Sequence, residues 1–160
     1  MKEIYENKKE HYPCELIGNQ LMINGDCLEV MELLDDNSIN LVLTDPPYGI
    51  NCDGGTYGLG KTPKNYLKKE WDINIPENKI FNKIFNKSSN QIIFGGNYFT
   101  EFLYPTKGWV VWDKIGSYKL KNKIFECELI WTSFKITTKK YTFVQQGFIN
   151  DDKEENKARF

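Results

Sequence analysis

A chain of 160 residues with 40% hydrophobic and 14% aromatic residues can bury the core of one domain, which excludes a wholly disordered polypeptide. A formal net charge of −1 withholds the strongly basic balance that would by itself indicate nucleic acid. Cys14, Cys27, Cys52 and Cys127 lack zinc-site spacing, with His11 as the one imidazole, and no apolar run approaches membrane-spanning length.

Residues 1–19 are polar and charged and read as a flexible lead-in. Their lack of an apolar core excludes a signal peptide, so a cytoplasmic protein with reduced thiols is expected. Gln20 to Asn24 is a short strand ended by Gly25-Asp26, and Cys27 to Leu34 has helical spacing. After the turn Asp35 to Ser38 comes a buried strand, Ile39 to Thr44. This strand–helix–strand order predicts a parallel pair with a crossover. Gly49 to Thr62 holds five glycines and reads as a mobile loop, matching no phosphate-binding pattern. Pro76-Glu77 opens a helix carrying Ile80, Phe81, Ile84 and Phe85 on one face. Gln91 to Phe94 is a third strand, a short helix runs from Asn97 or Thr100 to Leu103, and Gly108 to Trp112 is a fourth strand. Glu126 to Phe134 and Tyr141 to Val144 read as an antiparallel hairpin. Residues 150–160 form a charged tail or the start of a linker. Lysines cluster at Lys61–Lys69, Lys107–Lys123 and Lys135–Lys140, either as a basic face or as solvated loop residues.

The chemistry concentrates in Asp45-Pro46-Pro47-Tyr48, where the Ile39–Thr44 strand ends. Ligands of open α/β sheets bind at that edge. Two prolines fix two φ angles and remove two backbone donors. What remains is a stiff turn presenting a carboxylate, outward carbonyls and an aromatic ring. The Asp45 carboxylate and the Pro46 carbonyl can accept both N–H bonds of an exocyclic amine, while the Tyr48 ring stacks on the base that carries it.

The tetrapeptide resembles the catalytic motif of the amino-group DNA methyltransferases, which modify adenine N6 or cytosine N4. The resemblance extends through Asn24–Val30, Asn40–Thr44, Phe94–Phe99, Trp109–Lys114 and Glu128–Phe134, an ordered set of blocks running from about Leu21 to Phe160. It implies a Rossmann-like α/β methyltransferase fold over residues 20–149, with a mostly parallel sheet and an antiparallel C-terminal hairpin. The order is that of permuted members, in which the Asp-Pro-Pro-Tyr block precedes the cofactor block. The family's later His-Pro-Thr-x-Lys-Pro-like segment and Phe-x-Gly-x-Gly-like loop do not occur here, so the fold is expected to be incomplete in this chain.

That likeness further implies methyl transfer from S-adenosylmethionine to N6 of an adenine flipped out of double-stranded DNA, in a restriction-modification setting. Asp45, Pro46, Pro47 and Tyr48 are the implied catalytic residues. Asp26 and Asp45 are the implied cofactor contacts, and Tyr48 and Trp131 the implied base contacts. Asp26 reads equally as a helix cap, Trp131 as a core tryptophan on a strand, and Glu128 as either facing the site or alternating along its strand. Three alternatives stay open: cytosine-N4 transfer, a DNA-binding or assembly half without the cofactor segment, and a methyltransferase acting on RNA or protein amides. An incomplete sheet would expose an apolar edge to a C-terminal cofactor-binding half or a second copy of the chain.

Overall fold

The protein, seen in a computed structural model, is described over residues 12–52, 54–57, 64–116, 126–146 and 149–150. Outside the described residues lie most of the expected lead-in, residues 58–63 of the glycine-rich loop, residues 117–125 of the second lysine cluster, and residues 151–160 of the tail.

The chain begins with a hairpin. Strands β1 (Cys14–Ile17) and β2 (Gln20–Ile23) pair antiparallel, with Ile17 opposite Gln20. The two residues between them are Gly18 and Asn19, and Gly18 has a φ of 58°. Such a pair makes the tight turn that two-residue hairpins require. β2 pairs with β1 in a separate two-stranded sheet, and the expected parallel pairing of β2 with the next strand does not form. Helix α1 (Cys27–Glu32) follows, capped by the Asp26 carboxylate, which accepts the N–H groups of Leu28 at 2.9 Å and Glu29 at 3.3 Å.

The main body is a five-stranded sheet in the order β3 (Val42–Thr44), β6 (Gln91–Phe94), β8 (Cys127–Thr132), β7 (Trp109–Asp113), β9 (Lys139–Thr142). A small hairpin stands apart, with β4 (Gly55–Tyr57) within the stretch expected as a loop and β5 (Lys64–Tyr66) just beyond it, and a short pair, β10 (Gln145–Gln146) and β11 (Ile149–Asn150), closes the described chain.

The sheet is mixed rather than mostly parallel. β3–β6 and β7–β9 are parallel, whereas β6–β8 and β7–β8 are antiparallel. The expected hairpin between β8 and the Tyr141 segment is absent for a steric reason. Both edges of β8 are taken, by β6 and β7, so β9 adds to the outer edge of β7.

Helix α2 (Asn78–Lys87) forms the β3-to-β6 connection and buries Phe81 and Ile84 on the expected face. Phe81, Ile93, Phe99 and Trp131 are its buried core, with Tyr48, Phe85 and Trp109 packed around them. Burying side chains of this size contributes about 1.5–3 kcal/mol each. Lys87 ends α2 inside the protein and donates to the Leu34 carbonyl at 2.6 Å and Asp36 Oδ1 at 2.7 Å. These bonds fasten the helix to the turn that enters β3. The expected short helix after β6 is a 3-10 turn, Gly96–Tyr98. Among the described residues no helix is long and apolar enough to cross a membrane.

Candidate functional site

Strand directions bring the chemistry to one edge. β3, β6 and β7 run the same way and β8 runs against them. The carboxyl ends of β3, β6 and β7 and the amino end of β8 therefore share an edge. Asp45, Gly95, Lys114 and Glu128 are the residues that the sequence places at those four ends.

Tyr48 joins them. Its hydroxyl lies 2.5 Å from Asp45 Oδ1 and 2.7 Å from Glu128 Oε1. Glu128 Oε2 is in turn ion-paired with the Lys114 ammonium, which sits 4.7 Å from the centre of the Trp112 ring. The Tyr48 ring stacks on Tyr98 at 4.8 Å and 11° between planes. Burial, and then the bonds to Asp45 and Glu128, raise the Tyr48 phenol well above its ordinary pKa, so the hydroxyl keeps its hydrogen.

Gly95 makes that placement possible. Its φ is 64°, and a Cβ there would lie 2.1 Å from the Tyr48 ring. Only a residue without a side chain lets the β6 turn come this close. On the other side, Asp72 holds the segment that follows Tyr48. It is 3% exposed, and its two carboxylate oxygens accept the N–H groups of Gly49 at 2.9 Å and Cys52 at 2.8 Å. A cleft of about 230 Å³ opens beside Tyr48, lined also by Ile50, Tyr98, Lys114, Glu128 and Leu129.

The residues expected to act are not all found together. Asp45 is exposed at the edge, while Pro46, Pro47 and Tyr48 are half-buried behind it. Trp131 lies elsewhere. It is 3% exposed within the core, and its indole N–H donates to the Tyr104 carbonyl at 2.9 Å, so it does not line the cleft. Glu128 and Trp131, three residues apart on β8, point to opposite faces of the sheet. Asp26 caps α1; both cap bonds fall on Oδ1, and the residue is exposed. Sequence reasoning passed over Tyr98 and Asp72. The Gly95-Gly96 pair after a strand was the available signal for a close approach at Tyr98. Asp72 had no signal in sequence, standing between Trp71 and Ile73 with Glu70 nearby.

No protein-family model matches the chain. A stretch of 58 residues is 38% identical to the type II methyltransferase M2.MboI of Moraxella bovis. That stretch is 36% of this chain, and it spans about a fifth (21%) of the relative's length. The similarity relates this stretch to part of a type II methyltransferase.

Proposed function

We propose that this chain carries the catalytic part of a DNA methyltransferase that transfers the methyl group of S-adenosylmethionine to the exocyclic N6 of a flipped adenine. The observation that carries the reading is the Asp45 carboxylate, exposed at the shared edge of the sheet ahead of two prolines, with the Tyr48 ring fixed behind it. The partial similarity to M2.MboI supports the same reaction class.

Adenine N6 is a weak nucleophile because its lone pair is delocalised into the ring. An ionised Asp45 accepting one N–H, and the Pro46 carbonyl accepting the other, localise that lone pair and aim it. This is positioning combined with electrostatic stabilisation of the developing positive charge. Extruding the base costs a few kcal/mol, and stacking on an aromatic ring returns about 1–3 kcal/mol.

S-adenosylmethionine, when bound, supplies a methyl group on a positively charged sulfur. Asp26 suits it in part, since both cap bonds use Oδ1 and leave Oδ2 as an acceptor for a hydroxyl or ammonium group. A Rossmann-like frame and a cytoplasmic setting belong to the same proposal. Its second form makes this chain one half of the active unit. β3 is one of the two edge strands of the sheet, and Leu41 and Leu43 are exposed there, Leu43 by 63%. A cofactor-binding segment or a second copy would cover that edge.

The test is transfer of radiolabelled methyl groups to unmethylated DNA, with RNA as competitor and chromatography of the hydrolysed nucleosides. Label in N6-methyladenine, undiminished by RNA, is the expected result. Label in N4-methylcytosine favours the cytosine reading, and loss of label to RNA overturns the DNA assignment. Label that appears only when a separate cofactor-binding segment is added establishes the half-unit form.

A further inference from the structure

Tyr48 carries one hydroxyl hydrogen, and two carboxylates stand within reach of it, Asp45 at 2.5 Å and Glu128 at 2.7 Å. A hydroxyl donates one hydrogen bond at a time in full strength. The two carboxylates therefore compete for it. In the reaction proposed above, an amine N–H that takes Asp45 Oδ1 displaces the phenol hydrogen, which then needs another acceptor. Left half-buried without an acceptor, it would cost roughly a lost hydrogen bond.

Glu128 is built to take it. Trp112 on β7 lies directly opposite Glu128 on β8, and Lys114 follows two residues later. Alternation puts Trp112, Lys114 and Glu128 on one face. The Lys114 ammonium pairs with Glu128 Oε2 and leaves Oε1 to Tyr48. The Tyr48 ring has no need to move, because Tyr98 and Gly95 hold it from two sides. Rotation of the hydroxyl about its C–O bond completes the exchange, and no covalent bond is broken.

We propose that Glu128 is a positioning residue of this site, taking the Tyr48 hydroxyl when a substrate amine takes Asp45, with Lys114 holding Glu128 in place. The inference rests on the reading of Asp45 as the amine acceptor, so its test has one arm that needs no substrate.

In that arm, proton NMR follows the low-field, exchange-protected hydroxyl resonance of Tyr48, identified by its loss in Tyr48→Phe. It is expected to persist in Asp45→Ala, where Glu128 takes the hydrogen, and to vanish in the Asp45→Ala/Glu128→Ala double variant. Its absence from the wild type, or its loss in Asp45→Ala alone, overturns the proposal. The second arm measures methyl transfer to unmethylated DNA. Glu128→Ala is expected to lower kcat/KM roughly 10- to 100-fold, the worth of a hydrogen bond to a charged group. Glu128→Gln, which keeps an accepting oxygen, recovers most of the rate. Tyr48→Phe added to Glu128→Ala also recovers it, because no hydroxyl then competes for Asp45. A double variant no better than Glu128→Ala alone means that Glu128 serves the fold and overturns the proposal. A wild type that transfers no methyl to DNA refutes the methyltransferase reading, and the NMR series still decides the exchange at Tyr48.

Discussion

Two aspartates end parallel strands at the same edge of the sheet and are treated in opposite ways. Asp113, at the end of β7, is surrounded by donors. Its Oδ1 accepts the N–H groups of Ile115 at 3.1 Å and Gly116 at 2.8 Å, and its Oδ2 accepts from the Lys140 ammonium at 2.8 Å and the Thr142 hydroxyl at 3.4 Å. Asp45, just beyond β3, has the Tyr48 hydroxyl as its one donor among the described residues. A carboxylate saturated with donors holds a turn in place. One left open keeps acceptor capacity for something that arrives later. Asp72 stands with Asp113, since it too gives its oxygens to backbone N–H groups. The frame of the edge is thus built from satisfied acids, and the chemistry is assigned to the one that is not.

Substitutions can break this division or sharpen it. Among substitutions in the frame around Asp45, the largest effect is expected from Gly95→Ala. A Cβ 2.1 Å from the Tyr48 ring forces the ring aside, and the positive φ adds strain. Displacement by an ångström is expected to cost about 10²-fold in methyl transfer. Steady-state rates on unmethylated DNA check this; a rate within a factor of three or so of the wild type would mean that ring placement is not critical. Next in size, Asp72→Ala takes the part-buried acceptor from the Gly49 and Cys52 N–H groups, at about 1–3 kcal/mol. Urea denaturation measures it, and an unchanged midpoint would remove Asp72 from the frame.

A smaller change is expected from Trp131→Phe, which removes the indole N–H bond to the Tyr104 carbonyl, worth about 1 kcal/mol. Methyl transfer per folded molecule should stay as it was. A selective loss of rate with no loss of stability would return Trp131 to the base contacts. The smallest effect belongs to Asp113→Asn, a stability difference that is present above the ordinary carboxyl pKa and closes in acid. The Lys140 ammonium, followed by the Gly116 and Ile115 N–H groups, holds the Asp113 carboxyl down to about 2, below its ordinary 3.8. A depressed folded-state pKa means stability that is present above the ordinary value and lost as pH falls towards about 2. The wild type should therefore lose melting temperature between those two pH values more steeply than Asp113→Asn. Parallel curves would contradict the assignment.

The sequence made local structure legible and left pairing largely hidden. Apolar runs and turn residues marked β3, β6, β7 and β8, because burial dictates those patterns residue by residue. Helix α2 was marked by Phe81 and Ile84 at helical spacing. Which strand lies beside which is set by competition for edges among segments far apart in the chain. β8 enters between β6 and β7, and nothing in Cys127–Thr132 announces it. The same limit applies to the site. Asp45 and Tyr48 share a tetrapeptide whose stiffness and chemistry could be read directly. Glu128 stands 80 residues from Tyr48, and Lys114 meets it only through the β7–β8 register. Trp131 reads in sequence as a base contact or a core residue, because a tryptophan three residues from a site acid looks the same whichever face of the strand it takes; in the structure it is buried in the core.

The most direct test of the central claim compares wild type with Asp45→Ala in methyl transfer from S-adenosylmethionine to unmethylated DNA, with thermal unfolding of both. Loss of roughly 10²- to 10³-fold in rate at an unchanged melting temperature is the predicted result, since an open acceptor serves the reaction and not the fold. Equal rates in the two proteins, or a rate lost only in step with stability, would contradict it.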